Sequence, residues 1–372
     1  MKRLDPRTVA LGLAAPVLAV LVAFVVTTVI LLVAGDPVGA VWAQLLKVPL
    51  PRQVIAIVNG ATIYYISAIA VAIGFRMNLF NIGVDGQYRV ASFAAALFAG
   101  QGWLPGWLNI LVALVVAMAS GAAWAAIAGL LKVGRGVSEV ISTIMLNAIA
   151  TQLVSFLLGK TAVKQAGSNA TNTADLPTDS RVPGISLDGI IATPAKVYGL
   201  VVLAILVGVG YWFVLERTRF GFDLRAAGRS ESAAVASGVK VKRMVVASVM
   251  LSGAVAGLVG MPLLFGQDYH YGDTVQSGLG FAGIAVALLG RNHPVGIAFA
   301  ALLWGYLDQQ SNGLQIAAGV SDRLVGVIQG VIVLSVVVAY ELVRRAGVRI
   351  EQRRVASELA QRPAPAPEGA PA

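Results

Sequence analysis

The chain has no cysteine and only two histidines, His270 and His293, among its 372 residues. Disulfides, thiol nucleophiles and cysteine-based metal sites are therefore excluded. The two histidines fall in different loops and read as loop or interfacial residues rather than as joint metal ligands. Charge is also scarce. Only 12% of residues are charged, against about 25% in soluble domains. No G-x-x-x-x-G-K-[ST] string occurs, so the chain has no P-loop in which to cradle ATP phosphates. A His/Asp/Glu cluster suited to a membrane enzyme is missing too. Alternating segments of about ten residues, the pattern of a membrane β-barrel, are absent.

Hydrophobic residues make up 57% of the chain. A protein this apolar takes the bilayer as its solvent. Each long apolar run is expected to cross ~30 Å of hydrocarbon as a helix. The expected fold is all-α, a polytopic membrane protein of about ten transmembrane helices. The runs are 9–34, 54–74, 84–100, 107–131, 138–158, 197–215, 243–265, 278–290, 294–311 and 322–343. The third, eighth and ninth are short and read as broken or re-entrant elements. The first run is longer than the 7–15 apolar residues of a signal sequence, so it reads as a retained span.

The formal charge of +10 is not gathered in a soluble basic domain, which argues against nucleic-acid binding. The basic residues sit in short loops and at both ends. With the N-terminus in the cytoplasm, 21 Lys and Arg fall on the inner side and seven on the outer. This is the bias that orients membrane helices. The organisation that follows has three parts. Residues 1–8 form a cytoplasmic N-terminus, 9–343 a permease-like membrane domain, and 344–372 a cytoplasmic tail that ends Pro/Ala-rich. Within the membrane domain, 159–196 is a long polar outer loop and 216–242 a cytoplasmic loop. Asn169-Ala-Thr in the outer loop matches a glycosylation acceptor, a string that also arises by chance.

The cytoplasmic loop is the most informative segment. Arg217–Arg243 carries seven Lys or Arg in an Ala-rich amphipathic sequence between two spans. Such an insert reads as a docking helix, expected over 223–238, rather than as a simple tether. Two polar features interrupt the apolar pattern elsewhere. In Asn78–Gln87 the residues Asn81, Asp85 and Gln87 are costly near lipid unless they face protein or water. Gly83 and Gly86 permit an unwound backbone there. On the fifth run Glu139, Thr143, Asn147, Thr151 and Ser155 recur every four residues, a slowly drifting stripe on one helix face. Both features have two readings, the wall of a transport route or a locally satisfied structural turn and packing face. Gly278-Leu-Gly280-Phe-Ala-Gly283 matches a dinucleotide fingerprint but lies in an apolar run, without the required βαβ context. Its glycines read as permitting a bent or tightly packed element. Gly253/Gly257 and Gly326/Gly330 are each four apart, a spacing that lets helix backbones approach.

FNIGVDGQ (80–87), GVSEVISTIMLN (136–147), RAAGRSESAAVASGVKVKRMVVASVMLSGAVAGLVG (225–260) and GFAGIAVALLGRNHPVG (280–296) together resemble bacterial ABC importer permeases. They look like the branch related to ribose and branched-chain amino-acid permeases, and within it the nucleoside, basic membrane protein-type, permeases. The resemblance runs from about residue 50 to 340. It implies a bacterial cytoplasmic-membrane subunit with no cofactor and no catalysis of its own. ATP and magnesium would belong to a partner ATPase in the cytoplasm. A second permease, often a paralogue, and an extracytoplasmic substrate-binding lipoprotein complete the implied assembly. Asp223, Arg225, Ala226, Gly228, Ala233, Ala234 and Gly238 correspond to the coupling loop that docks on the ATPase. Asn81, Asp85, Gln87 and Asn147 are the candidate pathway residues. A permease for simple sugars remains an alternative. So does an ion-coupled secondary transporter, although Asp85 and Asp308 both read as lying near span ends.

Overall fold

The computed structural model describes residues 6–163, 170–272, 275–320 and 323–360. Asn169 of the acceptor string and the Pro/Ala-rich end of the tail lie outside the described residues. The described chain is almost entirely helical. In hydrocarbon every backbone N–H and C=O must be satisfied within its own segment, which favours helices. A helix falls on each of the ten apolar runs.

The chain divides into two compact units. One comprises residues 1–41 and 320–372. In it α1 (Pro6–Ala34) packs along α14 (Arg323–Ala360). The other spans 42–319. Its central helix is α3 (Pro51–Arg76), most of whose residues from Ala61 to Gly74 are buried. Around α3 lie α4 (Val84–Gly100), α7 (Val201–Arg217), α10 (Val241–Gly257), α12 (Leu279–Leu289) and α13 (Pro294–Ala318). Helix α5 (Gly106–Arg135) packs on α4 and α10, and α6 (Glu139–Thr161) packs on α4 and α5.

Among the described residues five helices are long and apolar enough to cross a membrane. A sixth is added if α7 and α8 (Arg219–Arg229), bent by 73°, count as one span. The runs 84–100 and 278–290 give shorter helices, of 17 and 11 residues. Helix α12, with eleven residues, rises only ~16 Å, half the hydrocarbon thickness. Among the described residues of 159–196, regular structure after the end of α6 is limited to a short 3-10 turn at Thr178–Ser180 and a two-residue pairing of β1 (Ile185–Ser186) with β2 (Lys196–Val197). That pairing, with Tyr198 N–H donating to Asn59 Oδ1 at 2.9 Å, delays α7 to Val201 instead of 197.

Three local differences from the sequence reading have plain causes. Helix α2 (Val38–Leu45) was not foreseen in the stretch after α1. The run 243–265 is not one regular helix: α10 ends at Gly257, and α11 (Met261–Leu263) continues into a π turn over Leu264–Asp268. Asp308 does not lie near a helix end. Helix α13 continues to Ala318, which puts Asp308 in its interior, near Tyr64 of α3.

Small residues set the closest approach. A Cβ on Gly253 would collide with the Gly121 carbonyl, and one on Gly257 with the Ala117 carbonyl. The Gly253/Gly257 pair thus packs α10 against α5 within the subunit. Gly326 and Gly330 face no atom within 4 Å.

Candidate functional site

The four candidate pathway residues converge at the break between α3 and α4. Helix α3 ends at Arg76, and Asn78 then takes a left-handed conformation, φ 57°. Asn81 is 2% exposed and Gln87 1%. Their side-chain amides pair reciprocally, each donating to the other's carbonyl oxygen at 3.1 Å. Asn81 Nδ2 also donates to Ser252 Oγ of α10 at 2.8 Å, and its Oδ1 accepts from Gly83 N–H at 2.9 Å. Ser252 in turn donates to the Ala70 carbonyl of α3 at 2.6 Å. One amide pair thereby ties the break to α3, α4 and α10.

Asn147 of α6 clasps the same break from the other side. Its Nδ2 donates to the Ile82 carbonyl at 2.9 Å, and its Oδ1 accepts from Gly86 N–H at 2.8 Å. These backbone groups at the start of α4 have no intrahelical partner. The rest of the polar stripe behaves differently. Thr143 is buried, Thr151 and Ser155 are exposed, and the Thr143 and Thr151 hydroxyls bond carbonyls of their own helix. Glu139 pairs with Lys132 at 2.6 Å, and its other oxygen accepts from Phe80 N–H at 3.4 Å.

Asp85, in the first turn of α4, completes the cluster. It forms an ion pair with Arg89 one turn later, at 3.2 Å, with both side chains largely buried. Its Oδ1 accepts from Gly278 N–H at 2.8 Å, at the start of α12. A carboxylate at a helix N-terminus satisfies a free amide and complements the helix dipole. The glycines of the 278–283 string make this contact possible. Gly278 has φ 83°, a Cβ on Gly280 would meet Asp85 N at 2.5 Å, and one on Gly283 would collide with the Ser67 hydroxyl. Ser67 lies nine residues before Arg76, ~13 Å along α3, and donates to the Leu279 carbonyl at 2.8 Å. The start of α12 is thus held along the middle of α3.

The second candidate region, 216–242, is not a single helix over 223–238. It forms α8 and α9 (Glu231–Ala236), broken at Ser230. Ser230 is extended, with φ −157° and ψ 112°, and its hydroxyl accepts from Ala233 N–H at 3.3 Å. A serine that bonds the helix start in this way ends one helix by capping the next. The Thr218 hydroxyl caps α8 by accepting from Gly221 N–H at 3.1 Å.

The seven candidate coupling residues fall into two sets. Gly228 lies against α3: a Cβ there would sit 2.7 Å from the Arg76 carbonyl oxygen. Arg225 reaches Glu216 at 3.2 Å, Ala234 is buried, and Asp223 and Ala226 are half-buried. Ala233 and Gly238 are exposed. Gly238 has φ 82° and closes α9, with Gly238 N–H bonded to the Val235 carbonyl and Val239 N–H to that of Ala234, each at 2.9 Å. Only glycine enters this conformation without strain. The outward surface includes Phe222, 64% exposed, and Val235, 59% exposed. Sequence reasoning missed Glu216, Arg76, Tyr211 and Asn292, which meet beneath α8. Nothing in their spacing marks them, because they come from three distant segments.

Among the described residues, no group of three or more His, Asp or Glu is placed to hold a metal ion.

Residues 53–337 match the family described as the branched-chain amino acid transport system / permease component. A guanosine ABC transporter permease, NupP of Bacillus subtilis strain 168, is 32% identical over 331 residues, covering 88% of this chain and 93% of that one. A glucose ABC transporter permease, TsgB13 of Haloferax volcanii, is 30% identical over 364 residues, covering 94% and 95%. A nucleoside ABC transporter permease, NupB of Lactococcus lactis subsp. cremoris strain MG1363, is 31% identical over 293 residues, covering 74% and 76%. With the family matched over most of its length, this chain belongs to the permease components of branched-chain amino acid-type ABC transport systems.

Proposed function

We propose that the chain is the membrane-spanning permease subunit of an ATP-driven importer of nucleosides. The observation that carries the reading is its 32% identity, over nearly the whole of both chains, to a guanosine permease. In the proposed assembly this chain pairs with a second permease, a paralogue. A cytoplasmic ATPase supplies ATP and magnesium chemistry, and an extracytoplasmic lipoprotein delivers substrate. The α8–α9 segment docks on the ATPase. The exposed Phe222, Val235 and Ala233 suit an apolar groove, and the flanking Arg229 suits an acidic rim.

Ten crossings with both termini in the cytoplasm and 159–196 outside are the proposed topology. It is supported by a helix on each of ten runs and by the lysine and arginine bias. Cysteines placed at Asp188 and Gln352 in this cysteine-free chain test it. An impermeant reagent added to intact cells should label the first and not the second; the reverse pattern would overturn the topology.

For substrate passage, the cluster of Asn81, Asp85, Gln87 and Asn147 is the proposed wall of the route. Its internal bonds fix the break between α3 and α4 in place. A second reading, import of a simple sugar, is favoured by the 30% identity to a glucose permease over still more of the chain. Uptake by the reconstituted complex with its binding protein separates the two. Guanosine should compete with labelled nucleoside and glucose should not. Transport of glucose alone would establish the second reading.

A further inference from the structure

Three segments meet beneath α8. Glu216, at the end of α7, lies between two guanidinium groups, Arg225 of α8 at 3.2 Å and Arg76 of α3 at 3.6 Å. Arg76 also donates through Nε to the Tyr211 hydroxyl at 3.2 Å, and through Nη2 to the Asn292 carbonyl at 3.0 Å. The Tyr211 hydroxyl donates to that same carbonyl at 2.7 Å. Arg291 and Asn292, the turn between α12 and α13, both take left-handed conformations, φ 56° and 53°. Two successive non-glycine residues in this region persist only where their surroundings hold them. Here Arg76 and Tyr211 do so.

Helix α12 runs into this joint at its C-terminal end. One end is the Asn292 turn. The other, eleven residues and ~16 Å away, is Gly278 and Leu279, bonded to Asp85 and Ser67. A short helix fixed at both ends moves as a rod. On α8 itself Gly228 lies against the Arg76 carbonyl, where a Cβ would stand at 2.7 Å, and Arg225 of the same helix holds Glu216.

We propose that Glu216, held between Arg225 and Arg76, is the positioning residue through which movement of the docking segment reaches α12 and, through it, the Asp85 cluster. The proposal rests on the function given above. Glu216 is 41% exposed. Its partners Arg225 and Arg76 are 21% and 27% exposed, so the pairs reach solvent mainly on the Glu216 side and keep only a modest share in stability.

The test uses the full complex in proteoliposomes, with nucleoside imported per ATP hydrolysed as the readout. Glu216→Gln and Arg225→Gln are each expected to lower that ratio several-fold, with the ATPase still co-purifying with the Glu216 variant. The double variant is expected to be no worse than either single one, since both remove the same link. Glu216→Asp, which keeps the charge, should recover part of the loss. An unchanged ratio in both single variants would overturn the proposal. So would additive losses in the double variant, or failure of both singles to assemble, which would make the pair merely structural. A parental complex that imports no nucleoside with ATP would instead overturn the function on which the proposal rests.

Discussion

Around the start of α4, Asn81, Asp85, Gln87 and Asn147 direct their polar atoms at one another and at backbone groups of α3, α4 and α12. Along α8 and α9, Ala233, Val235 and Gly238 turn outward, and only one face is held by the rest of the chain. The first region is polar sequence inside an apolar surrounding, and the second is partly apolar sequence at a polar surface. Each departs from what its surroundings favour, and the departures have different resolutions. A buried polar group has to be bonded, so the first region is fixed in shape. An exposed apolar group is relieved by a partner, so the second is shaped for contact.

The comparison can be broken most severely at Asp85. Asp85→Ala leaves Arg89 largely buried without its partner and removes the acceptor for Gly278 N–H. Breaking one side of a buried ion pair costs about 3–5 kcal/mol. We expect a clear fall in the melting temperature of the purified complex and at least a several-fold loss of nucleoside uptake. Asn147→Leu is next. It orphans the Ile82 carbonyl and Gly86 N–H, at about 1–3 kcal/mol for each group. Uptake at limiting substrate should drop several-fold while the complex still assembles. Parental uptake in both variants would show that the cluster only holds the fold.

Smaller effects are expected across the second region. Gly228→Ala brings a Cβ to within 2.7 Å of the Arg76 carbonyl. The overlap should lift α8 at a cost of about 1–3 kcal/mol and lower the uptake obtained per ATP more than the amount of folded protein. Ala233→Glu lies on the exposed face. Its effect on stability should stay within about 0.5 kcal/mol, yet ATPase binding in a pull-down should weaken. Normal ATPase binding by this variant would erase the contrast between the regions.

Much of this organisation was legible in the sequence. Every long apolar run became a helix, because lipid leaves the backbone no alternative. The family was legible through FNIGVDGQ and the 225–260 string, and the 278–283 glycines were readable as close-packing residues. The break at Ser230 was less legible. A serine four residues before Ala234 fits a helix interior as well as a cap, and only its extended backbone decides. The bonds of Asn147 were not readable either, since its partners lie 61 and 65 residues away.

The sequence by itself determined that the protein is helical, lipid-embedded and free of thiol chemistry. These properties follow from composition, local periodicity and the absence of specific motifs, and they require no long-range contact. Tertiary structure decided which polar residues are bonded to one another and which face outward. It also brought Arg76, Glu216, Arg225 and Asn292 together from segments up to 216 residues apart. A hydrogen bond or ion pair depends on a few ångströms of geometry, and that geometry exists only once the helices have packed.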